Sequence, residues 1–311
     1  MDNQLQLSPL SESIIQTLAY YDLFDYPLTA TEIFSKLPTN HISLNDLESE
    51  LPQLVNQSIL FRFGMYYSLQ NNIGLENRRV NGNILAKKFM KIAAAKANLI
   101  AGFPFIRSVM ISGSLSKGYA DEQSDIDFFI ITQPERLWIA RMLLVMYKRI
   151  FLLNSHKYFC INYFVDSAHL EISEKNIFTA TELATLIPLN GSRYHRELLL
   201  HNRWIEHYFP NFKPEFTSEK ESHDGILKKT MEWMFNHFFP DGLDRFFMRI
   251  TLRHWKKKHG QSYPKAEFNI AFKTSRHVSK NHPKNYQRRI IQRLDDKLNS
   301  YKKYFRTPAA S

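Results

Sequence analysis

The sequence predicts an α/β core set between a small helical domain and a basic helical tail. Three observations carry this reading. Val109-Met110-Ile111 and Phe128-Phe129-Ile130-Ile131 are short β-branched and aromatic runs bounded by Gly, Ser and Asp, the pattern of buried strands. Amphipathic stretches at helical spacing stand before and after them. The charge is segregated as well. Residues 217–311 hold 21 of the 41 Lys and Arg but 9 of the 30 Asp and Glu, so their own balance of +12 exceeds the +11 of the whole chain. Such a basic segment suits a phosphate-rich partner, nucleic acid included.

The 311 residues suffice for two or three domains, which we place at residues 1–75, 76–215 and 216–311. Apolar content is 44%, ordinary for a globular chain. No run of about eighteen apolar residues occurs, so no spanning helix is expected. Met1 to Gln6 lacks a basic segment followed by an apolar one and does not read as a secretory signal. The single cysteine, Cys160, lies in an apolar run and reads as a buried, inert thiol. A reducing, cytoplasmic location is expected. The twelve histidines show no paired spacing of the kind that holds zinc.

Ser11 or Ser13 caps a first helix through Tyr21, with Ile14, Ile15, Leu18 and Tyr21 on one face. Pro27 ends that region. Thr29-Ala30-Thr31-Glu32 is a capping box for a second helix. Ser43 opens a third, striped by Leu44, Leu47, Leu51, Leu54 and Val55. Pro52 within it leaves either a kink or two shorter helices. Ile59 to Phe63, Gly64, then Tyr66 to Leu69 read as a hairpin. Three helices and a hairpin in this order resemble a winged helix, which often binds DNA through its third helix. Here that helix carries Asp46, Glu48 and Glu50 and no base, which opposes a phosphate backbone. The expectation is a module packed on the core or on a protein partner.

Residues 76–102 read as one helix into the core. Its Arg78, Arg79, Lys87, Lys88, Lys91 and Lys96 form a solvated basic face or place one cation near a bound phosphate. Between the two apolar runs lie Gly113-Ser114, Gly118 and Ser124-Asp125-Ile126-Asp127. Residues i and i+2 of a strand share a face, so Asp125 and Asp127 project together. Two such carboxylates repel unless a cation sits between them, and hard oxygen ligands suit Mg²⁺. Gly113 lets backbone N–H groups approach a ligand, and the Ser114 hydroxyl can donate to a phosphate oxygen. A helix beginning at Leu115 would add its own N–H groups.

These residues, in this order and spacing, resemble the nucleotidyltransferase superfamily that includes DNA polymerase β, and most of all its minimal members. The resemblance spans roughly twenty residues of the catalytic core. It implies an α/β (α+β) core with a mixed sheet, and transfer of a nucleoside monophosphate from an NTP to an acceptor hydroxyl. It implies Asp125 and Asp127 as catalytic ligands of Mg²⁺ (or Mn²⁺). Gly113 and Ser114 would then hold the triphosphate, with Lys117 as a further cation where minimal members carry arginine. The family also supplies a third carboxylate from a later strand. Here Lys157 to Val165 is that strand, and its central polar residue is Asn162, which can ligate through its carbonyl oxygen but brings no charge. Asp166 and Glu171 lie just beyond and could substitute. The acceptor, whether protein, RNA or small molecule, has no visible recognition motif. A second reading is a catalytically impaired protein of this fold that binds nucleotide or nucleic acid as a regulator.

Pro134 starts a buried helix through Leu153. Thr179-Ala180-Thr181-Glu182 resembles a helix cap before Leu183, Leu186 and Ile187. Residues 193–209 read as one further helix, and Pro210 to Ser222 as a linker. Ile226 to Lys258 is helical and aromatic-rich, with a break at Pro240-Asp241-Gly242. Phe272 to Pro283 reads as a basic loop in which Arg276, His277, Lys280 and His282 meet solvent or an acidic ligand. Tyr286 to Phe305 is a last helix, and Thr307 to Ser311 should fray.

Overall fold

The structure, a computed structural model, describes residues 7–155, 157–216, 225–239, 242–283 and 285–306. Residues 217–222 of the expected linker, and the frayed end at 307–311, lie outside these.

The chain opens with α1 (Pro9–Asp22), β1 (Leu28–Thr29), α2 (Ala30–Lys36), α3 (Leu44–Asn56), β2 (Phe61–Phe63) and β3 (Tyr66–Ser68). Ser8 caps α1 by accepting the Ser11 N–H, so the cap sits earlier than expected. Thr29 and Ser43 both close reciprocal capping boxes, the latter with Asp46. The third helix runs unbroken through Pro52. The three strands pair in the order β1-β3-β2, over a core built on Ile14, Leu18, Ile33, Leu47 and Leu51.

The long helix α4 (Gly74–Ala101) leads into β4 (Ile106–Ser112), α5 (Gly113–Ser116), β5 (Asp127–Thr132), α6 (Leu137–Phe151) and β6 (Cys160–Asp166). Then come α7 (Ile177–Ala184), β7 (Ile187–Asn190), α8 (Ser192–His201) and α9 (Ile205–Tyr208). The last two replace the single helix expected over 193–209. The chain closes with α10 (Ile226–Phe238), α11 (Gly242–His259), α12 (Lys265–Ala271), β8 (Val278–Lys280) and α13 (Tyr286–Arg306).

The second sheet is mixed, in the order β7-β4-β5-β6-β8. Its β5–β6 pair is parallel and its other neighbours are antiparallel. The strands alternate between two layers. Val109, Ile111, Phe128, Ile130 and Phe164 pack with residues of α4, α6, α11 and α12. Met110, Phe129, Ile131 and Val165 face α7, α8 and α9. Both faces are covered, which is why the strands read as continuous apolar runs.

The C-terminal stretch adds two features to the sequence reading. Val278–Lys280 is an edge strand on β6, with Tyr163 opposite Lys280, inside what reads as a loop. The last helix returns to the N-terminal core, where Ile290 and Leu294 are buried and Lys297 reaches the Asp22 carboxylate at 3.2 Å. Among the described residues no helix is long and apolar enough to cross a membrane.

Candidate active site

The site grows from the turn between β4 and β5. At Gly113 the backbone takes φ +70°, and a Cβ there would stand 2.7 Å from Asp127 Oδ2. Only glycine passes this close to the carboxylate without moving it. One helical turn, α5, follows, holding Ser114 half-buried. Its backbone closes through Lys117 N–H to Ser114 O at 3.0 Å. The turn is buttressed from outside: Asn83 of α4 donates to Gly118 O at 2.6 Å, and the Tyr26 hydroxyl donates to Lys117 O. The Tyr119 ring lies against Gly82, where a Cβ would meet it at 2.3 Å.

Ser124 closes the tight turn before β5 by donating to Asp121 at 2.8 Å. Asp125 is exposed just ahead of the strand, Ile126 is buried and Asp127 is partly buried. Asp127 begins β5 opposite Ser112 on one side and Cys160 on the other. Burial raises the Asp127 carboxyl to about 6, and the charges of Glu182 and Asp125 add to this against a Cys160 hydrogen bond and the Lys117 charge. Cys160 is buried as expected, its thiol pushed up by burial and by Asp127.

Asn162 comes to the same place. The register shifts between Phe128 and Phe129, leaving Asn162 unpaired in the ladder. Its amide nitrogen donates to Asp127 Oδ1 at 3.0 Å, so the nitrogen rather than the carbonyl faces the acid.

Asp166 and Glu171 do not come to the site. Asp166 pairs with Thr132 at the far end of β5, five residues along, or roughly 17 Å at the rise of a strand. There it is fully buried beneath His169 and His277, with Nδ1 atoms at 2.8 and 2.7 Å. Glu171 is exposed and pairs with Lys175 at 2.7 Å. Asp166, His169 and His277 are also the group among the described residues that brings three ligand atoms within 4.8 Å of one another. Two further cations of the expected basic loop also have partners within the fold. Arg276 meets Glu135 at 2.7 Å, and Lys280 is buried and donates to Gln287 at 3.0 Å.

Sequence reasoning missed Glu182. The cap of α7 is Asn176, which accepts the Thr179 N–H, so Glu182 stands in the body of the helix instead of completing a capping box. Its Oε1 meets Lys117 Nζ at 2.8 Å and its Oε2 accepts the Gly113 N–H at 3.2 Å. Lys117 also donates to Gly113 O at 3.0 Å. Two of the donors expected to hold an anion, the Gly113 N–H and Lys117, therefore hold this carboxylate. Asp125 and Glu182 both raise the Asp127 carboxyl through their charge, but the three do not bring their oxygens within 4.8 Å of one another as the Asp166 group does. Carboxylate oxygens are the donors that suit a hard divalent cation.

No curated protein and no solved structure matches the chain. Residues 96–184 match the family model of the nucleotidyltransferase domain, a span that contains Gly113, Asp125, Asp127, Asn162 and Glu182.

Proposed function

We propose that the protein moves a nucleoside monophosphate from an NTP to an acceptor hydroxyl, with Asp125 and Asp127 holding Mg²⁺ or Mn²⁺. The observation that carries this reading is the placing of Asp127 between the Gly113 turn and Asn162, in the company of Asp125 and Glu182. A metal held there would supply positive charge that offsets the charge built up in transfer.

The chain's own residues do the rest. The triphosphate takes over the Gly113 N–H and the Lys117 ammonium, with Ser114 beside them, and so releases Glu182. The freed carboxylate then lies near Asp127 and can accept the proton of the attacking hydroxyl, the role that β6 leaves open. General-base help of this kind is worth about 10²–10⁴-fold. Asn162 holds Asp127 through its amide nitrogen, and its carbonyl oxygen is a further neutral donor for the metal. Phosphoryl transfer rests largely on positioning and electrostatics, so a neutral residue on that strand is compatible with turnover.

We read the N-terminal unit as a winged-helix-like module docked on the core, supported by its element order and by the Tyr26 contact to the Gly-Ser turn. Its α3 points to no nucleic acid, since Glu50 is held by Ser8 at 2.7 Å and by Ser11 and the helix bears no base.

The test is calorimetric binding of each NTP with Mg²⁺ to the wild type and to Asp125→Asn/Asp127→Asn. Metal-dependent binding that disappears in the double variant supports the reading. A folded wild type that binds no NTP overturns it.

A further inference from the structure

A cavity of about 580 Å³ opens between α6 and α11, next to Asn162. Its wall carries Arg141, Lys148, Arg149, His254, Lys258 and His259, and no Asp or Glu lines it. Arg141 is 7% exposed. It stacks on Trp138 and Trp255, 5.7 and 4.8 Å from their ring centroids. Among the described residues no carboxylate or carbonyl receives its guanidinium. Burial and the neighbouring Arg149 push it down to about 10. A buried cation that lacks its counter-charge is costly, and a planar fork aimed into a basic cavity is suited to phosphate oxygens.

Position gives the cavity a role. The sheet runs β4-β5-β6, so the Gly113 turn and Asn162 flank Asp127 from opposite sides. In phosphoryl transfer the attacking and leaving oxygens lie roughly in line across the phosphorus. With the triphosphate on the Gly113 side, the acceptor enters from the Asn162 side, where the cavity lies. We propose that this cavity seats a phosphate group of the acceptor, and that the acceptor is a small phosphorylated molecule whose free hydroxyl is presented to the Asp125–Asp127 centre. The volume falls within the range of small-molecule sites, and the anchoring cation sits at depth, where a polymer backbone running over a surface would not reach it. The inference rests on the nucleotidyl-transfer reading for the ligand's role, and on the cavity alone for its chemistry.

The test uses calorimetry on the full chain, with inorganic phosphate as the probe in the absence of metal. Phosphate should bind the wild type and Asp125→Asn/Asp127→Asn alike. Arg141→Gln and the rim variant Lys258→Gln should weaken it at least tenfold, while Mg·NTP affinity stays within twofold. Lys258 is exposed, so its variant reports even where Arg141→Gln fails to fold. No phosphate binding by the wild type, or binding unaltered in Lys258→Gln and in a folded Arg141→Gln, overturns the site. Parallel loss of Mg·NTP binding makes the cavity part of the nucleotide pocket and overturns the acceptor assignment. A single-stranded RNA that binds through Arg141 where inorganic phosphate does not overturns the small-molecule assignment. Failure of the nucleotidyl-transfer reading looks different: no NTP binds, and the phosphate isotherm is unchanged.

Discussion

Lys117 and Glu182 face each other across the Gly-Ser turn, ammonium to carboxylate at 2.8 Å, and the second Glu182 oxygen takes the Gly113 N–H. An NTP must displace that carboxylate to reach the same donors. Glu182→Gln keeps an acceptor for Gly113 but removes the charge opposite Lys117. Its NTP affinity should therefore rise about tenfold, equivalent to roughly 1.4 kcal/mol, while the rate of any transfer falls by about 10² or more. Calorimetry and single-turnover kinetics on the same variant separate the two effects. Weaker binding together with slower transfer would instead make Glu182 a direct support of the nucleotide.

Asp127 gives a pH signature. Its folded carboxyl titrates at about 6, against an ordinary 3.8. The metal-free folded protein therefore binds this proton more tightly than the unfolded chain does. The resulting stability is present in full below pH 4 and is lost as the pH rises through 6. Asp127→Asn should accordingly stabilise the metal-free protein at pH 8, by about 1–3 kcal/mol, and by roughly half as much at pH 5. Thermal melts of both proteins at the two pH values check this. Adding Mg²⁺ at pH 8 should raise the wild-type Tm and leave the variant unmoved.

Asn162 occupies the strand position where a third acid is expected, 3.0 Å from Asp127. Asn162→Asp exchanges a donor for a charge beside Asp127, which already feels the charges of Glu182 and Asp125. The metal-free variant should lose about 1–2 kcal/mol of stability, and its Mg²⁺ affinity should rise about tenfold. Melts with and without Mg²⁺ show whether the two effects have opposite sign. A variant that binds Mg²⁺ no better than the wild type would show that Asn162 does not face the cation.

The parts of the site that were legible are local in sequence. Gly113, Ser124, Asp125 and Asp127 lie on one turn and strand, and strand periodicity is enough to group them. Glu182 reaches Gly113 only because α7 packs under the sheet, and the string Thr179-Ala180-Thr181-Glu182 imitates a helix cap that Asn176 supplies instead. The strand at Val278–Lys280 was hidden for a related reason. Its residues lack an apolar run, and it gains order from pairing with β6, which is context rather than propensity. The stripe of the last helix was readable from Ile290 and Leu294, but its partner was not. Nothing in those residues names the N-terminal core against which they are buried.

Arg79 ties the N-terminal unit to the site. Its side chain is 7% exposed and meets Glu32 at 2.7 Å. It donates to Pro27 O at 2.9 Å and stands 3.8 Å from the centroid of the Tyr26 ring. Its Nε–H also fixes Asn83 at 2.9 Å, the residue that holds Gly118. Arg79→Met removes the charge opposite Glu32, which keeps the Thr29 N–H and is 29% exposed, so the loss should fall below about 3–5 kcal/mol, the cost for a fully buried pair. Hydrogen exchange should quicken in residues 26–32 and, through Asn83, in residues 114–119. Exchange confined to the first segment would mean that the turn is held independently of this arginine.

Gly113 makes the sharpest test of the turn itself. Alanine there suffers twice, from φ +70° and from a Cβ placed 2.7 Å from Asp127 Oδ2. The backbone term is worth roughly 1–2 kcal/mol. The contact cannot be relieved by rotating a flexible chain end, because Asp127 is held on its other side by Asn162 and stands at the head of a central strand. Either the turn or the carboxylate must move. Gly113→Ala should therefore lose Mg²⁺-dependent NTP binding at least tenfold while its melting temperature falls by only a few degrees. Gly118→Ala, also at positive φ (+72°) but with its nearest neighbour at 3.4 Å, serves as the control. It bears a similar backbone cost without touching Asp127, so its NTP binding should stay close to that of the wild type. Equal losses in the two variants would attribute the effect to strain in the turn rather than to displacement of the acid.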